Sequence, residues 1–202
     1  MDALTLTLLL VGGGFVLRAA DQRQRIALLS RYLGRYQIEK LMERLNEGYV
    51  RALGETDSQR QQQVWSLHTA TEQQLAQQFR RFSEEFGQAD ALQTRVNLNP
   101  LPHAHRWLPA ALAPGFDLRD LMRAHALGIE RAVNNEGALD ARTRARTLLA
   151  ELYLMQHSCH WFCRSHSVAS ARLRMRHQSR HEDLLDAVAP ATRAAYRAVV
   201  GR

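Results

Sequence analysis

The sequence predicts an all-α protein: an N-terminal single transmembrane helix continuing into an amphipathic stalk, then a cytoplasmic helical bundle of about five helices. Three observations predict it. Residues 3–17 form an apolar run without Lys or Arg, closed by Arg18. Beyond it, apolar residues recur at helical steps and nowhere alternate as a half-buried strand would. Apart from Pro190, the prolines gather in one stretch, residues 97–116, so the remainder is free to stay helical.

In the apolar run the only polar side chains are Thr5 and Thr7, whose hydroxyls can bond back to helix carbonyls. Residues 3–17 span about 22 Å as a helix and residues 3–20 about 27 Å, against a hydrocarbon core of roughly 30 Å. The longer count holds because Arg18 can snorkel to the headgroups. Six Leu, two Val and one Phe sum to about −3 to −5 kcal/mol of insertion energy. Gly12, Gly13 and Gly14 erode that gain. A cleaved signal peptide would need a positive n-region and small residues where Arg18 stands, so a single span is favoured over it and over a buried core helix. Arg18, Arg23, Arg25, Arg31 and Arg35 follow the run. By the positive-inside rule the N-terminus crosses the membrane and the body is cytoplasmic. The expected address is the inner membrane, single-pass, with Arg18, Arg23 and Arg25 at the membrane surface.

Residues 1–20 are thus read as the anchor and 21–54 as a juxtamembrane amphipathic helix. In the latter, Ile26, Leu29, Leu33, Tyr36, Leu41, Leu45, Tyr49 and Leu53 form a stripe that Gly54 ends. Residues 55–202 are the cytoplasmic helical domain. Asp57 or Ser58 caps a helix with Val64, Leu67, Thr71, Leu75, Phe79, Phe82 and Phe86 on one face and glutamines on the other. Pro100, Pro102, Pro109 and Pro114 then break the pattern. Trp107 and three leucines make that stretch a packed connection, with one short helix near Arg106. Asp117 caps a helix using Leu118, Leu121, Met122, His125, Ile129 and Val133, ending around Gly137. Asp140 opens a helix expected to run to about Val188, and Pro190 starts a short final one in which Tyr196 and Val199 pack back.

The net charge is +7, almost all of it arginine, since Lys40 is the only lysine. Such bias fits a GC-rich bacterial genome and membrane retention better than nucleic-acid recognition, for which no aromatic-interleaved basic strand is present. Two cysteines do not make a disulfide framework.

One segment could carry chemistry. In QHSCHWFCRSH, Cys159, Cys163 and His166 fall at i, i+4 and i+7 of a continuous helix and so within one sector. Two thiolates and an imidazole there would suit zinc, with a fourth ligand such as His125 from another helix. The same sector holds Leu148, Leu152, Met155, Phe162, Leu173, Leu184 and Val188, so ordinary core packing is the stronger reading. His157 and His160 are expected at the surface. His177 and His181 make an i, i+4 pair among Arg172, Arg174, Arg176 and Arg180, expected as a solvated basic surface. His103 and His105 have no evident partner.

Phosphate loops, the G-x-S-x-G elbow, H-E-x-x-H and paired Glu-x-x-His motifs are all missing. No cofactor other than zinc is implied, and no catalytic residue stands out. The expectation is a membrane-tethered helical interaction or scaffold protein, with the lipid bilayer and a protein partner, or a second copy paired through the stalk, as its contacts. A metal protein or enzyme built on Cys159, Cys163 and His166 is the alternative, and a basic nucleic-acid binder the second alternative.

Overall fold

The computed structural model describes residues 2–98 and 114–201. The chain is all-α, with 81% of these residues helical. The Pro-rich connection, with its expected short helix near Arg106, His103, His105 and Trp107, lies almost wholly outside the described residues.

Helix α1 (Ala3–Leu33) has two physically different halves. Leu4, Leu6, Leu8, Leu9, Val11, Phe15, Val16 and Leu17 are all at least half exposed, because no other described element covers them. Arg18 lines a groove with Val96 and Trp161, and Asp21 is half-buried. Asp21 ion-pairs with Arg25 at 2.9 Å, and the Arg25 guanidinium sits 5.2 Å from the centre of the Phe162 ring. Leu29 is buried, and Tyr32 packs edge-on against Phe86. Among the described residues α1 is the one helix long and apolar enough to cross a membrane.

The stalk expected over residues 21–54 shares α1 with the anchor as far as Leu33 and is then interrupted. The chain turns at Gly34, whose N–H bonds to the Ser30 carbonyl, and restarts as α2 (Ile38–Gly54). The Gln37 N–H at the start of α2 is taken by Gln78 Oε1 at 2.7 Å. The physical reason lies in the stripe itself. Ile38, Leu41, Leu45 and Tyr49 are all buried, and only by turning back can α2 lay them on α3 (Ser58–Phe86). Asp57 caps α3 as expected, accepting from the Gln59 and Arg60 N–H groups. Phe79, Phe82 and Phe86 are fully buried, whereas Leu67, expected on the same face, is exposed.

A one-turn helix, α4 (Ala91–Thr94), leads into a short antiparallel ladder that sequence reading did not find. Strand β1 (Arg95–Asn97) pairs with β2 (Gly115–Asp117), Val96 opposite Phe116. A Cβ at Gly115 would lie 2.3 Å from the Val96 carbonyl oxygen, so only glycine permits this approach. Three-residue strands carry no readable period.

Asp117 caps α5 (Leu118–Val133), and all six residues expected on its inner face are buried. The long helix expected over 140–188 is instead three. Asp140 caps α6 (Ala141–Cys163), Ser165 caps α7 (His166–His177), and α8 (His181–Ala187) follows a left-handed residue, Gln178 at φ 50°. Pro190 begins α9 (Pro190–Val200), with Tyr196 buried. The predicted stripe from Leu148 to Val188 is buried throughout, but on three helices folded over one another.

The helices are locked at their centre by a desolvated ion pair. Glu72 on α3 is 1% exposed and receives two guanidinium hydrogen bonds from Arg144 on α6, at 2.7 and 3.1 Å. Tyr49 of α2 donates its hydroxyl to the same carboxylate. Arg144 also reaches the Val133 carbonyl at the end of α5, at 3.3 Å. Removing one partner of such a pair strands the other in low dielectric. In denaturant unfolding of the detergent-solubilised chain, Glu72→Ala is expected to cost about 3–5 kcal/mol. Tyr49→Phe is expected to cost about 1.5–3 kcal/mol. Replacing Glu72 and Arg144 together by leucine should cost much less than either single change. A loss below about 1 kcal/mol for Glu72→Ala would mean that the pair behaves as a surface one.

Candidate functional site

Three histidines converge where α6, α7 and α8 fold over one another. His157, on α6, is 1% exposed, contrary to the surface position expected from sequence. Helix α6 ends at Cys163. Ser165 adopts an extended backbone and accepts the Val168 N–H, so the chain reverses and returns His166 to His157, ring centres 5.1 Å apart. The second turn, at Gln178, returns His181, whose ring lies 4.5 Å from His157 and 5.2 Å from His166. One ligand-type nitrogen from each ring lies within 4.8 Å of the other two. The Trp161 ring stands 4.6 Å from His166.

Two of the rings are held from behind. His157 Nε2 is 3.0 Å from Ser170 Oγ on α7, and His181 Nε2 is 3.0 Å from the Tyr196 hydroxyl on α9. His157 Nδ1 is buried with no protein partner. Burial, together with the neighbouring imidazoles, pushes His157 down to about 3. Burial also lowers His166 and His181. All three rings are therefore neutral near pH 7, each with a lone pair able to accept a proton or a metal ion.

The set expected from sequence does not form. Cys159 and Cys163 line a groove of about 800 Å³ between α1, α2 and α6, with Ile26, Met42 and Met155. Cys159 Sγ lies 3.9 Å from Met155 Sδ. Both are free thiols, and burial pushes Cys163 up to about 11 and Cys159 higher still. His166 lines a different groove with Trp161, Ser165 and Ser167, because the helix that would have aligned it with the thiols ends at Cys163. His125 is fully buried on α5, its Nε2 at 2.9 Å from Ser158 Oγ. Ser158 gives its proton to the Leu154 carbonyl, so His125 Nε2 is the donor in that contact. His160 is half-buried and not at the surface as expected. The expected His177–His181 pair is parted by the turn at Gln178, and His177 stacks on Tyr153 with ring centres 3.7 Å apart. Arg172, Arg174, Arg176 and Arg180 are exposed, as a solvated basic surface requires.

Of the arginines expected at the membrane, Arg18 and Arg23 are exposed. Arg25 is turned inward on Asp21 and Phe162.

Comparisons with protein-family profiles, with curated proteins and with solved structures found no match to this chain.

Burial sets a pH dependence with two opposing contributions. His125 is pushed down to about 3, like His157, and His160 to about 4, so in the folded state these rings stay neutral while the unfolded chain takes up protons below about 6.5. Stability is therefore lost as pH falls through that range. Glu151 acts oppositely. Burial raises it from 4.5 to about 7, so its contribution declines as pH rises between those values. Three histidines outweigh one carboxyl. Lowering the pH from 7 to 5 is expected to destabilise the protein in denaturant titrations. His125→Gln should flatten that slope, and Glu151→Gln should steepen it.

Proposed function

We propose that the chain is a membrane-tethered helical interaction or scaffold protein, anchored in the inner membrane by the first half of α1 with its body on the cytoplasmic side. One observation carries the reading: Leu4, Leu6, Leu8, Leu9, Val11, Phe15, Val16 and Leu17 present an exposed apolar surface along the first half of α1. Soluble proteins rarely leave such a patch to water. Lipid is its fitting solvent, and a helix satisfies its own backbone groups there.

The arginine side of the anchor is the side of the body. Arg18 and Arg23 are exposed, and beside anionic headgroups each would be worth on the order of 1 kcal/mol. Arg25 instead supports the junction between α1 and α6. Of the stalk stripe, Leu29, Leu41, Leu45 and Tyr49 are buried, which leaves Ile26 and the partly buried Leu33, Tyr36 and Leu53 for a second copy. The exposed glutamines of α3, Gln62, Gln63, Gln73, Gln74 and Gln77, offer a surface to a protein partner.

A single arginine at mid-span costs about 2.5–3.5 kcal/mol, and insertion is worth only about −3 to −5. Leu9→Arg combined with Val11→Arg should therefore abolish anchoring. Fractionation is expected to show the unmodified chain in the membrane pellet after an alkaline carbonate wash, and the double variant released or degraded. A C-terminal alkaline phosphatase fusion should be inactive. An active fusion would reverse the orientation, and release of the unmodified chain by carbonate would remove the anchor.

A further inference from the structure

We propose that His157, His166 and His181 form a binding site for a divalent first-row transition metal ion of the zinc class. The site stands on the folded body alone and does not depend on the membrane reading.

Three features point to a ligand and not to chance packing. The first is convergence. Zinc–nitrogen bonds of about 2.0–2.1 Å at tetrahedral angles put ligand nitrogens about 3.3 Å apart and ring centres about 5 Å apart. Here the ring centres are already 4.5, 5.1 and 5.2 Å apart, with one nitrogen of each ring within 4.8 Å of the others. Small rotations of the rings, without backbone movement, would close the remaining gap.

The second feature is the orphaned nitrogen. His157 is 1% exposed, and its Nδ1 has no partner although its Nε2 is engaged by Ser170. Leaving a buried polar atom unpaired costs free energy, and a metal ion would satisfy it.

The third feature is the outer shell. Metal-ligating histidines commonly donate the distal N–H to an oxygen, which fixes tautomer and ring orientation. With Nε2–H donated to Ser170 in His157, and to the Tyr196 hydroxyl in His181, Nδ1 is the nitrogen each ring has left for an ion. The exposed His166 also lines an open groove of about 540 Å³ with Trp161, Ser165 and Ser167. Water can therefore take the fourth coordination position. Three neutral imidazoles select an ion that accepts nitrogen donors, which excludes Ca²⁺ and Mg²⁺.

The test is titration of the full chain, purified in detergent and stripped with chelator, first with Co²⁺ as the visible probe and then with Zn²⁺ in competition. One equivalent of Co²⁺ should bind at micromolar concentration or tighter, giving d–d absorption that Zn²⁺ abolishes. His166→Ala and His181→Gln should each weaken binding by more than the 10–100-fold (roughly) that loss of an outer-shell partner brings, which is the effect expected of Ser170→Ala. The double variant Cys159→Ser, Cys163→Ser should bind as the unmodified chain does. His166 is exposed, so His166→Ala is expected to keep the thermal unfolding of the metal-free protein unchanged. Undiminished binding in His166→Ala, binding lost in the cysteine variant, or Co²⁺ uptake only at millimolar concentration would each overturn the proposal.

Discussion

The ion pair between Glu72 and Arg144 is the constraint to which the other packing decisions answer. It joins α3 to α6, takes in Tyr49 of α2, and reaches the carbonyl that ends α5. A buried pair of this kind adds little net stability compared with an apolar substitute, but it penalises every arrangement in which one partner is buried without the other. Four helices that share only apolar faces could slide or rotate against one another at small cost. With a carboxylate, a guanidinium and a phenol required to meet at one point, the register of α2, α3 and α6 is fixed together.

That register carries along the rest of α6. One turn pair beyond Arg144, the Glu151 side chain accepts the Ala189 N–H at 3.1 Å and so seats the start of α9. A Cβ at Gly128 of α5 would lie 2.5 Å from Glu151 Oε2, which shows how closely α5 must approach at this level. Seating α9 places Tyr196 within hydrogen-bond distance of His181. The histidine cluster is thus positioned by a succession of polar contacts along one helix, each of them buried or half-buried. Its geometry is inherited from the centre of the fold and does not arise from the local sequence alone.

This inheritance explains what was and was not legible beforehand. The inner faces of α3 and α5 could be read because each helix is buried on one side, and a single-sided stripe has a period. The turn after α1 leaves a trace in the sequence: the step from Tyr36 to Leu41 is five residues, out of phase with a continuous helix. The end of helix α6 is hidden in the sequence for a different reason. Residues 148–155, LLAELYLM, are almost continuously apolar, the mark of a helix covered all round. A helix so covered has no outer face for His157. Taking Ala141 to Val188 as one rod placed Cys159, Cys163 and His166 together and His157 apart, whereas breaks at Ser165 and Gln178 did the reverse. Those breaks are set by single capping or left-handed residues, signals too common in polar segments to decide a fold unaided.

The turn at Ser165 is also where the two proposed roles of the chain meet. Arg25 of α1 lies on the Phe162 ring and donates to the Phe162 carbonyl at 3.4 Å, and Arg164 donates to Gln22 at 2.6 Å. The last turn of α6 therefore holds the point at which α1 leaves the body. Two residues further on, His166 enters the histidine cluster. On the proposed reading, an ion held by His157, His166 and His181 would fix the Arg164–Ser165 turn from one side while the base of the anchor fixes it from the other. The orientation of α1 relative to the body would then depend on a short, capped turn, and a ligand that orders the turn would stiffen the tether without touching the membrane-facing helix.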